Sequence, residues 1–177
     1  MPFRRSSTPR PPLTDAELLD HALKSLGAKM KSERDLRRVL TPRAESPEAV
    51  DKVIAKLKEL SYLSDERFAA DFTRLRQENE KFGQRRVQQK LMQKGISQTL
   101  TAKTISSAYE DVDEVALARQ YVERKRMKKP EGEKEIARVM RRLVTAGFST
   151  STVWKVLRAW DLDVDEVDVV EDEPTEA

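Results

Sequence analysis

Gly95 and Gly147 stand 52 positions apart, and the residues around them repeat. A leucine precedes each glycine by four (Leu91, Leu143) and a valine by eight (Val87, Val139). An apolar residue and then a serine follow each, Ile96-Ser97 and Phe148-Ser149. Glycine accepts the left-handed conformation that ends a helix, and serine two residues later can cap the next one through its side-chain oxygen. Each Gly-apolar-Ser is therefore a tight helix-to-helix corner. A chain built on such corners at a fixed period has to fold as a helical repeat. About a dozen residues after each corner stands an aromatic, Tyr109 or Trp160, and Tyr62 fits the same period. Near the start, Thr41-Pro42 replaces the glycine corner, Ser46 takes the cap and Pro47 the first helical position, where a missing N–H costs nothing.

The spacing predicts nine helices, near 14–26, 32–41 and 47–61, then 65–80, 84–94 and 98–109, then 112–128, 133–146 and 150–160. Thr14 with Glu17 and Ser32 with Asp35 read as capping boxes. Val50, Val53, Ile54, Leu57 and Leu60 form one apolar stripe. Ile136, Val139, Met140, Leu143 and Val144 form another, and Phe68, Phe72 and Leu75 a shorter one. The expected fold is all-α: three tandem three-helix repeats, at 13–63, 64–110 and 111–161, forming an elongated, curved molecule. Helices pack 8–10 Å apart, so three units in a row would span roughly 60 Å. Residues 1–12 are expected to be a disordered basic N-terminus and 162–177 a disordered acidic tail.

The net charge of +3 conceals a separation. Residues 13–160 carry 31 cations and 22 acids, whereas residues 161–177 carry nine acids and no cation. A positive body implies a polyanionic or acidic partner. The acidic tail reads either as a nucleic-acid mimic folding back on that body or as a solubilising end. No cysteine is present, which excludes disulfides, thiolate metal sites and a cysteine nucleophile. His21 has no ligand partner, the five glycines form no phosphate loop, and no run is apolar enough to cross a bilayer. The expectation is a cytoplasmic, monomeric non-enzyme that needs no cofactor and no metal.

The candidate binding residues are therefore cations. Arg138, Arg141 and Arg142 fall opposite the apolar stripe of their helix, within about 100° of one another. Arg86 and Lys90 are neighbours on the equivalent helix of the second repeat. Between these two helices in the chain lies the densest cluster, "ERKRMKK", holding Arg124, Lys125, Arg126 and Lys128 and expected at a helix end. This cluster could engage a DNA backbone or an acidic protein surface. Arg34, Arg37 and Arg38 read as a charged helix surface without a partner role. Tyr62, Tyr109 and Trp160, recurring at the ends of third helices, read as core rather than as stacking platforms for bases.

The stretch from Tyr62 to Ser97 resembles the signature of the RecX family of recombinase regulators. The resemblance lies in Leu63-Ser64-Asp65-Glu66-Arg67-Phe68-Ala69, then Phe72, Arg76, Gly83, Arg86, Leu91 and Gly95-Ile96, with Ser64 standing where the family usually carries aspartate. It implies a protein that lodges in the groove of the RecA filament on single-stranded DNA. Such a protein blocks ATP hydrolysis, strand exchange and LexA cleavage, and has no active site. A DNA-binding helical repeat without sequence preference, gripping single- or double-stranded DNA, is the alternative.

Overall fold

The computed structural model describes residues 11–160. Among these residues the chain is all-α. The helices are α1 (Asp15–Ala28), α2 (Glu33–Leu40), α3 (Pro47–Glu59), α4 (Asp65–Glu80), α5 (Gln84–Gln93), α6 (Gln98–Tyr109), α7 (Glu114–Arg124), α8 (Glu133–Thr145) and α9 (Thr150–Arg158). One isolated bridge joins Leu13 to Ala44. The acidic tail and most of the basic N-terminus lie outside the described residues.

The capping residues do what their chemistry requires. Thr14 and Glu17 complete a capping box, Ser46 accepts from Ala49 N–H beside Pro47, and Ser149 accepts from Thr152 N–H. The corners at Gly95 and Gly147 have φ of 83° and 95°. In each, two N–H groups turn back onto the helix: Gly95 to Met92 and Ile96 to Leu91, then Gly147 to Val144 and Phe148 to Leu143. The same double bond closes α3 and α7 with no glycine. Ser61 (φ 57°) donates to Lys58 and Tyr62 to Leu57; Arg126 (φ 49°) donates to Glu123 and Met127 to Val122.

The structure departs from three expectations. The helix expected to reach residue 128 stops at Arg124, because Arg126 turns left-handed, so most of "ERKRMKK" is a corner and loop. Tyr62 is not core: it is 62% exposed, and Leu63, at 3%, takes the buried place beyond the Ser61 corner. The ends of the apolar stripes also reach the surface at Leu60, Leu75 and Val144.

Packing divides the chain into two compact units. Among the described residues unit 1 takes the chain up to Phe72 together with Lys90–Thr104; unit 2 takes Thr73–Gln89 and Ile105 to Trp160. The middle three helices thus contribute residues to both. The core of unit 1 gathers Leu18, Ala22, Leu36, Leu40, Val50, Val53, Ile54 and Leu57. That of unit 2 holds Val139, Leu143, Val153, Val156 and Leu157, with Tyr121 between Phe82 and Phe148 at ring-centroid distances of 6.3 and 5.8 Å. Burying such side chains supplies about 1.5–3 kcal/mol each before chain entropy is subtracted.

Within each unit a helix N-terminus abuts the corner that ends another helix. In unit 1 the Ser32 hydroxyl donates to the Lys94 carbonyl at 2.7 Å. In unit 2 Gly83 N–H donates to the Ala146 carbonyl at 2.9 Å. A Cβ on Gly83 would lie 2.3 Å from the Gly147 carbonyl oxygen, so only glycine fits there.

Candidate functional site

The loop after α7 and the adjoining turns of α8 enclose a concave surface in unit 2. Arg126, Lys128, Lys129, Arg138 and Arg142 line it with Glu131 and Glu135, around Met127, Pro130 and Val139. Its volume is about 350 Å³. Local chemistry explains the shape. The left-handed Arg126 turns the chain away from α7, and Pro130 is buried while its cationic neighbours Lys128 and Lys129 are exposed. Arg138 and Arg142, four apart on α8, share the groove side of that helix.

Four of the sequence-predicted residues, Arg126, Lys128, Arg138 and Arg142, meet at this groove. Arg124, Lys125 and Arg141 are exposed but do not line it. The Lys125 ammonium sits 5.7 Å from the Tyr121 ring centre, and Arg141 Nε donates to the Ala137 carbonyl. Lys129 joins the lining; its place in the cationic run was the signal for it. None of these eight cations forms an ion pair among the described residues. At the same time Glu131 N–H occupies Glu135, donating to its carboxylate at 3.0 Å.

Arg86 and Lys90 are placed differently. Arg86 is half-buried: its guanidinium lies 4.4 Å from the Phe82 ring centre and donates to the Thr145 carbonyl at 2.6 Å, bracing the corner after α8. Lys90 is half-buried on α5 and already engaged.

In unit 1 several cations are held by acids of the same unit. Arg37 pairs with Glu33 and Asp51 at 2.8 and 2.5 Å, Lys58 with Glu33 at 2.5 Å, and Lys94 with Asp35 at 2.7 Å. Burial raises the Glu33 carboxyl, but its bonds to Lys58 and Arg37 outweigh that and hold it below its ordinary value. Asp65 caps the start of α2 by accepting from Glu33 N–H at 2.9 Å, and burial pushes its carboxyl up. Among the described residues no cluster of His, Cys, Asp and Glu could hold a metal ion, and no helix is long and apolar enough to cross a membrane.

The family model for the second three-helix domain of RecX matches residues 64–105. The regulatory protein RecX of Leptothrix cholodnii is 32% identical over 148 residues, spanning 84% of this chain and 92% of the relative. The chain belongs to the RecX family of regulatory proteins. RecX of Caldanaerobacter subterraneus is 30% identical over 80% of this chain and 69% of its own length, and RecX of Escherichia coli strain SE11 39% identical over 62% and 70%. The crystal structure of RecX from Lactobacillus salivarius matches the fold with a TM-score of 0.65 at 18% identity, covering 83% of this chain and 96% of that one. A second RecX crystal structure does so at 0.68 and 23%, covering 82% and 71%. In this RecX chain the signature residues serve the framework. Leu63, Phe68, Ala69, Leu91 and Ile96 are buried, Gly83 lies against Gly147, Asp65 caps α2, and Arg86 braces a corner. The exposed cations of the groove lie beyond the stretch that carries the signature.

Proposed function

We propose that this protein binds the RecA recombinase filament through the cationic groove and the exposed side of α8, and inhibits its ATPase, strand-exchange and coprotease activities. One observation carries the reading within a RecX family member: eight exposed cations gather about the groove with no acid of the described chain paired to any of them. Bidentate arginines at such a site suit carboxylates of a protein surface and phosphates of DNA alike. Inhibition then comes from occupancy, with the protein wedged where the filament must move, and needs no reactive group.

The test replaces Arg138, Arg141 and Arg142 together by glutamate and follows DNA-dependent ATP hydrolysis by the recombinase. Inhibition should be lost while the circular dichroism and melting of the variant match the parent. A folded variant that still inhibits fully would remove this surface from the account. The same cations favour a second reading, DNA binding without sequence preference. It requires affinity for naked single-stranded DNA that falls steeply with salt in the absence of recombinase.

A further inference from the structure

We propose that the groove of unit 2 is the docking site of this chain's own C-terminal segment, residues 161–177, which competes there with external polyanions. The inference concerns the same groove but does not depend on which partner binds it.

Three observations lead to it. The first is charge. The segment holds nine acids and no cation, while the groove is lined by five cations and two acids and borders three more exposed cations. Cations with no ion pair among the described residues, and a terminal segment carrying nine acids and no cation, form a complementary set. The second is pattern. In "DLDVDEVDVV" (Asp161 to Val170) acids alternate with leucine and valine over much of the run. The groove has a matching composition, with arginines and lysines around Met127, Pro130 and Val139. A purely solubilising end gains nothing from aliphatic residues, and a phosphodiester strand has none to offer. The third is reach. The segment follows α9 after two intervening residues, and α9 packs on both α7 and α8, the helices that frame the groove. Seventeen residues extend up to roughly 55 Å, and α8 is only about 20 Å long. A tethered ligand acts at an effective concentration in the millimolar range, so even weak contacts hold it in place. An external polyanion must displace it.

The absence of native cysteine allows a direct test. A nitroxide placed on Thr175→Cys in the full chain broadens amide resonances near wherever the segment lies. The expected broadening is concentrated at Met127, Lys129, Arg138 and Arg142 in about 0.1 M salt. It should fade in about 1 M salt, where the screening length falls from ~10 to ~3 Å. It should also be independent of protein concentration and disappear in the labelled chain carrying Arg138→Gln and Arg142→Gln. No broadening, broadening shared with Arg34 and Arg38 in unit 1, or broadening that grows with protein concentration would overturn the proposal. A second measurement uses oligothymidylate as probe. Converting Asp163, Asp165, Glu166, Asp168 and Glu171 to amides should raise its affinity about tenfold or more. That gain should vanish when the two groove arginines are already glutamine. Equal affinity of parent and amide chains, or a gain that survives the arginine changes, would also overturn it. These outcomes are separate from recombinase inhibition, so the docking can fail while the proposed function stands, and the reverse.

Discussion

In unit 1 the start of α2 meets the corner after α5 through side chains. The Ser32 hydroxyl reaches the Lys94 carbonyl, the Lys94 ammonium pairs with Asp35, and the Arg34 methylenes lie where a Cβ on Gly95 would go. In unit 2 the start of α5 meets the corner after α8 through backbone. Gly83 and Arg85 N–H groups reach the Ala146 and Gly147 carbonyls, and the two glycines let the chains touch. Both joints satisfy carbonyls that a helix end leaves without partners. They differ in what they leave over. Unit 1 ties Arg37, Lys58 and Lys94 to acids of its own framework. Unit 2 uses Arg86 at its joint and pairs Arg74 with Glu78 and Arg76 with Glu80 on α4, while the eight cations at and beside the groove have no ion pair among the described residues. A repeat can therefore keep its corner geometry while the cations near it are paired in one copy and left without an ion pair in another.

The sharpest way to break this comparison is to add one methyl group to each joint. Gly83→Ala must push backbone against backbone and should cost about 3–5 kcal/mol, within the range of severe core lesions. Gly95→Ala meets the Arg34 side chain, its Cβ at 2.7 Å included, and its own left-handed φ, and should cost about 2–3 kcal/mol, less than the backbone clash at Gly83. Urea denaturation of the two full-length variants decides it, and equal costs would show that the joints are built alike.

Acid titration probes a smaller effect inside unit 2. Burial raises the Glu114 carboxyl, but the hydroxyls of Ser149 and Thr152 and the Ser149 N–H outweigh it and hold the group below its ordinary value of 4.5. A depressed carboxylate contributes stability above its unfolded pKa and loses it as pH falls through the folded one. Glu114→Gln should therefore cost about 1–2 kcal/mol at pH 7 and progressively less below pH 4.5. A difference from the parent that stays constant down to pH 3 would remove this carboxylate from the account of how α9 starts.

The smallest contrast lies in the surface charges. Arg37→Gln breaks pairs with Glu33 and Asp51 that are partly exposed and so screened, and should cost about 0.5–1 kcal/mol. Arg138→Gln should change stability by less than about 0.5 kcal/mol while weakening polyanion binding. Melting curves that rank the two in the opposite order would reverse the assignment of charge between the units.

The sequence carried what is local. Gly95, Gly147 and the capping residues Thr14, Ser46 and Ser149 could be read because each type has a conformational or hydrogen-bonding preference that acts within a few positions. Ser61 and Arg126 close equivalent corners, but neither residue type signals a left-handed turn, so α7 read as four residues too long and Tyr62 as core. Gly83 could not be explained without Gly147, 64 positions away. The division into two packed units depends on contacts between distant segments, which spacing within one repeat does not contain. At the site, the arginines of α8 were legible from helical periodicity. That Arg86 is committed to the Thr145 carbonyl, and that the loop after α7 folds into a groove, required the tertiary arrangement.

The backbone joint at Gly83 and Gly147 has a practical consequence. Amide-to-carbonyl bonds between uncharged chains respond little to ionic strength or proton activity, whereas the lysines and arginines around the groove respond strongly to salt. Raising salt should then strip any polyanion held at the groove and leave this joint intact, so release would not require unit 2 to refold.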